Sequence, residues 1–172
     1  MATCSIGTAQ ARHLVAWNRV LFGALALWVL GLVSACSGVK LVADYDAEAA
    51  KAITETSSEV FAFYDSLIEA RASGPVRYSA FSERWGKIET RLRVLKVRED
   101  ARPINNESQR IAQTILEFWD KYRKKHQSTN DYAAVLLPIH RDRFQRLFTA
   151  ALVAERAKRL ADPDADPKLD KD

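Results

Sequence analysis

From Asp44 to about Leu160 the apolar residues recur in steps of three and four, a spacing that confines this stretch to helices that each bury one stripe. The first segment takes Asp44 or Asp46 as its cap, turns Ala49, Ile53, Thr56, Val60, Phe63 and Leu67 inward, and ends at Ser73-Gly74-Pro75. The second reads Phe81, Trp85, Ile88, Leu92 and Leu95, with Arg, Lys and Glu between them. Pro103 suits a first helical turn, and Ile104, Ile111, Ile115, Phe118 and Tyr122 carry a third segment to about His126. After the break Gln127-Ser128-Thr129-Asn130, the last helix is expected to open on Asn130 or Asp131. It runs through Leu136, His140, Phe144, Leu147 and Ala151, with Pro138 inside it predicting a kink or a restart. No strand pattern competes. Four helices of roughly 20 to 30 residues with short loops predict an all-α fold, an antiparallel up-down-up-down four-helix bundle over 44–160.

What flanks this stretch has a different character. Residues 161–172 are acidic and broken by Pro163 and Pro167, which predicts a disordered tail. Residues 1–19 carry basic groups and no acid, and from Val20 to Ala35 there is no charge at all. That apolar run is shorter than the roughly 20 residues needed to cross a hydrocarbon core, and the basic-then-apolar order is that of a secretory signal. Both cysteines, Cys4 and Cys36, stand at or before its end, so the helical part holds no thiol, as suits an oxidising compartment.

Val33-Ser34-Ala35-Cys36 resembles the lipobox of bacterial lipoprotein precursors, with Val where Leu is commoner. The resemblance implies cleavage after residue 35, lipid on Cys36, and residues 36–43 as a lipidated tether of at most about 25 Å. It also implies anchoring of the mature chain in an envelope membrane, facing the periplasm. Ser37 stands where such chains often carry Asp to stay in the inner membrane, so the outer membrane is implied in a cell that has one. The alternative is an uncleaved signal anchor in which Cys36 is an ordinary small residue.

Charge identifies no partner by its sum. Two of the 26 basic residues, Arg12 and Arg19, lie in the leader, which leaves 24 against 22 acidic ones and none of the excess that nucleic-acid binding requires. The distribution is more telling. In an up-down bundle the pole away from the tether carries Arg71, Arg77, Lys121, Arg123, Lys124 and Lys125. Lys121, Arg123, Lys124 and Lys125 are therefore candidates for docking an acidic protein surface or peptidoglycan carboxylates, although lysines there also complement the negative end of a helix dipole.

Chemistry is harder to find. Neither His126 nor His140 has Glu three residues before it, as a di-iron bundle needs, and there is no His-Glu-x-x-His or Cys-x-x-Cys-His pattern. No cofactor or metal is therefore expected. The acids of Asp162-Pro163-Asp164-Ala165-Asp166 alternate as in a calcium loop, but Pro167 replaces its glycine. With no serine elbow and no phosphate loop, the expectation is a protein that is not an enzyme, a non-enzymatic interaction or structural module. The alternative is a small-ligand-binding bundle with a cavity near Trp85, Trp119 and His140. A cavity of some hundreds of Å³ would favour it, whereas a filled interior would favour the interaction module.

Overall fold

The computed structural model describes residues 41–161; the leader, Cys36 and the acidic tail from residue 162 lie outside the described residues. Four helices make up the fold: α1 (Ala47–Ser73), α2 (Ser82–Asp100), α3 (Asn106–Thr129) and α4 (Leu136–Ala161). A short 3-10 turn, Tyr78–Ala80, precedes α2, and no strand occurs among the described residues. Helix α1 packs on α2 and α4, and α3 packs on the same two. The expected all-α four-helix bundle is present. None of these helices is long and apolar enough to cross a membrane.

Local chemistry sets the helix ends. Asp46 caps α1, its Oδ1 accepting from the backbone of Glu48 and Ala49 at 2.9 and 3.1 Å. Gly74 ends that helix at φ 146°, a conformation that glycine tolerates, and donates back to the Arg71 carbonyl at 3.3 Å. The other two turns differ from expectation. Pro103 and Ile104 do not open α3: Ile104 sits in the left-handed region at φ 56°, is 51% exposed, and hands its carbonyl to the Ala43 N–H at 3.1 Å. A β-branched residue held there is strained, so the surrounding contacts must enforce it. Asn130 closes α3 in the left-handed conformation and does not cap α4. Its side chain instead accepts from the Tyr78 N–H at 3.1 Å, while Asp131 accepts from the Val76 N–H at 2.8 Å. Pro138 falls in the first turn of α4, where its missing N–H leaves no bond unmade, so the helix begins at Leu136 and Pro138 makes neither the kink nor the restart expected of it.

Trp85, Trp119, Phe63, Tyr64, Phe144 and Phe148 fill the centre. The Trp85 and Trp119 rings lie 4.4 Å apart and Phe63 lies 4.6 Å from Trp85, spacings at which aromatic pairs add about 0.5–1.5 kcal/mol to the burial itself. In α3 Trp119 is fully buried while Phe118, the expected seam residue, is half-buried; in α4 Phe148 is buried and Leu147 only partly. The buried stripes are thus wider than single seams.

One end of the bundle is closed by charge. Where residues 41–46 meet the α2–α3 turn and the end of α4, Arg102 donates to both oxygens of Glu155 at 2.7 and 3.2 Å and to the Asp44 carbonyl at 2.5 Å. Lys158 donates to Glu155, to Asn105 Oδ1 at 2.5 Å and to Ser108 Oγ at 2.7 Å. Glu99 accepts from Arg102 at 3.1 Å and from Asn105 at 2.7 Å through Oε2, while its buried Oε1 has no partner among the described residues. Asn105, whose position before α3 suits a cap, has its side chain committed to this cluster instead.

Candidate functional site

The opposite end is open. There the ends of α1 and α3, the α3–α4 loop and the start of α4 leave a cavity of about 300 Å³, lined by the rings of Tyr122, His126, Tyr132 and His140, by Ala133 and Leu136, and by Arg71, Lys125, Thr129 and Asp131. Helix α3 supplies Tyr122, Lys125, His126 and Thr129 within two turns, since residues three and four apart share a helix face. His140 comes from the second turn of α4.

Both histidines are held neutral. His126 Nδ1 accepts from the Trp85 indole N–H at 3.0 Å, so Nε2 carries the proton and donates to the Val76 carbonyl at 2.8 Å. A second proton would oppose the indole N–H, and burial pushes this imidazole below its ordinary range despite the Val76 bond and the Asp131 charge. His140 is depressed further, to about 4, by burial first and then by the Arg143 and Lys121 cations.

Hydrogen-bond accounting also gives His140 its tautomer. The Tyr64 hydroxyl is fully buried, and Tyr132 Oη, 3.4 Å away, is its partner. A buried O–H needs an acceptor, so Tyr64 donates to Tyr132, and Tyr132, having accepted, has its own proton to give to His140 Nδ1 at 2.6 Å, which we take as its direction. The proton of His140 therefore sits on Nε2. Tyr122 stacks on the same imidazole with ring centres 3.6 Å apart and planes 7° from parallel. Burial holds the Tyr132 and Tyr64 phenols well above their usual range, so both remain protonated donors.

The rim is uneven in charge. Arg71 Nη1 contacts both oxygens of Asp131 at 2.9 Å, and the Thr129 hydroxyl lies 2.8 Å from the Lys125 carbonyl and 2.7 Å from that of Asp131. Of the four candidate docking residues, Arg123 reaches Tyr78 Oη at 3.2 Å and pairs with Glu89, while Lys124 pairs with Asp120 at 2.7 Å. Lys121 and Lys125 are exposed and form no ion pair among the described residues. The basic pole is thus partly neutralised by acids that its own helices supply.

His140 was a candidate from sequence and lies in the cavity wall. Trp85 and Trp119 do not; they are buried in the core, and Trp85 reaches the cavity only through its bond to His126. Sequence reasoning passed over Tyr132, which sits in a stretch read as a cap and turn, and over His126 as anything beyond a helix terminus. A tyrosine and a histidine amid turn residues were the available signal. Among the described residues no three His, Cys, Asp or Glu side chains converge as metal ligands would. Comparison with family models, with curated proteins and with solved structures yields no match.

Proposed function

We propose that this chain is a lipid-anchored envelope protein whose bundle serves as a non-enzymatic interaction module, held at the membrane by Cys36 and facing the periplasm. What supports the reading is the polarity of the bundle. The chain enters at the closed end, where the Ala43 N–H and the Asp44 carbonyl are both bonded to the α2–α3 turn, and the cavity and the unpaired Lys121 and Lys125 lie at the other end. A tether of residues 36–43, at most about 25 Å long, would keep the closed end near lipid and turn the open end outward. An acidic protein or peptidoglycan carboxylates are the partners that exposed lysines there would meet.

A photocrosslinker placed in cells at Lys121, at the open end, or at Arg110, on the opposite part of α3, tests this orientation. The Arg110 probe should capture phospholipid and the Lys121 probe a protein or wall polymer, and Cys36→Ser should abolish the lipid capture. Intact mass spectrometry should show lipid on the wild type and none on Cys36→Ser. A wild type that retains its leader and carries no lipid, or lipid capture from both probes, would overturn the proposal.

A second reading is favoured by the cavity itself. A half-open space of about 300 Å³ with aromatic walls and a few polar groups has the size and make-up of a small-ligand site, at the lower end of the usual range.

A further inference from the structure

We infer that the open-end cavity binds a small monocarboxylic acid with a flat apolar body, its carboxylate lying between the Lys125 ammonium and the Nε2–H of His140. The inference rests on the cavity being a ligand site and names the ligand class.

The donor and acceptor inventory is one-sided. Asp131 is the sole acidic residue of the lining, and its carboxylate already accepts from Arg71 and from the Val76 N–H. The Thr129 hydroxyl faces two backbone carbonyls. The donors, by contrast, are not all engaged. Lys125 Nζ makes no hydrogen bond or ion pair among the described residues. His140 is 9% exposed; its Nδ1 accepts from Tyr132, and its protonated Nε2 has no partner among the described residues. That donor belongs to the lining of a cavity, where a ligand can supply its acceptor. Lys121 and Arg143 add positive potential at His140, so a negative acceptor suits the site better than a neutral one.

The walls select the body of the ligand. The Tyr122–His140 stack, Tyr132 and His126 present ring faces and edges, and Ala133 and Leu136 are apolar. A cavity of roughly 150 Å³ takes a benzene ring, so about 300 Å³ suits one ring with a short carboxylate arm.

Calorimetric titration of the full chain in detergent micelles with phenylacetate and with phenylacetamide, each against empty micelles, tests this. The acid should bind saturably at one site, and the amide roughly ten-fold or more weaker, as befits loss of a charge-assisted bond. Lys125→Gln should weaken the acid about ten-fold and leave the amide unchanged. Ala133→Trp, at an exposed position of the cavity lining where the fold is not at stake, should abolish both. If acid and amide bind equally and Ala133→Trp abolishes both, the carboxylate assignment is wrong while the cavity remains a ligand site. If neither binds the wild type at millimolar concentration, the ligand class and the ligand-site reading both fall.

Discussion

The closed end of the bundle gathers Glu99, Arg102, Glu155 and Lys158, joined by salt bridges, whereas the open end gathers His126, His140, Tyr64 and Tyr132, joined by bonds between neutral rings and hydroxyls. Glu99 and Glu155 are each 1% exposed, so the closed end tolerates its charges only because each faces an opposite one within hydrogen-bond reach. The cluster also binds the incoming chain through the Asp44 carbonyl, which leaves that end little freedom to rearrange. At the open end the buried side-chain bonds among Tyr64, Tyr132, His140, His126 and Trp85 join uncharged groups, and the one ion pair of the lining, Arg71–Asp131, lies at the half-buried periphery. One donor remains unmatched on His140, beside a space large enough for a ligand.

The strongest way to break this contrast is Glu155→Ala. It would leave Arg102 facing Glu99 alone and Lys158 buried with only Asn105 and Ser108, and removal of one member of a buried ion cluster destabilises by about 3–5 kcal/mol. Urea unfolding followed by circular dichroism measures it. A loss no larger than that of an ordinary surface substitution would mean that the closed end is not held by its charges.

His126→Phe is the counterpart at the open end. It keeps a ring of similar shape but strands the Trp85 indole N–H and the Val76 carbonyl, for which about 1–3 kcal/mol is expected. The same unfolding measurement should therefore place it below Glu155→Ala. The reverse order would show that the neutral network is the stronger constraint.

The smallest effect concerns pH. The unfolded chain takes up a proton at His140 below about pH 6.5, while the fold keeps this imidazole neutral down to about 4. Its contribution to stability is thus fully present above 6.5 and declines as pH falls toward 4, because the unfolded state then binds the extra proton. His126 is shifted in the same direction and acts alongside it. The carboxylates of Asp46, Glu89 and Asp131 are lowered, so their contributions are lost at more acidic pH. His140→Gln should therefore reduce, without removing, the slope of stability between pH 6.5 and 4. Parallel curves for variant and wild type would contradict the depressed ionisation of His140.

How much of this is legible in the chain depends on the range of the interaction. The three-and-four spacing of Ile53, Val60, Phe63 and Leu67, or of Trp85, Ile88, Leu92 and Leu95, is a local property of one helix, and all eight side chains are buried. Asp46 and Gly74 act on their immediate neighbours, and both mark the helix ends that their types suggest. Residues whose role is set by distant partners read wrongly. Asn130 and Asp131 have the chemistry of caps, yet their side chains serve residues 71–78, more than 50 positions away in sequence. Ile104 fits the apolar rhythm of α3 but is pulled out of it by the turn that receives Ala43.

Sequence by itself determined that 44–160 folds as four helices, where the first one begins and ends and which faces are apolar, because helix periodicity and capping act over a few residues. The other two breaks were misplaced, since α3 runs from Asn106 on to Thr129 and α4 opens only at Leu136. Only the tertiary structure decided that Tyr132 directs its proton to His140, that His126 is bonded to Trp85 and Val76, and that Lys158 is buried against Glu155. A hydrogen bond demands a matching group within about 3 Å and in the right direction, and no local pattern reports which distant residue the fold will bring there.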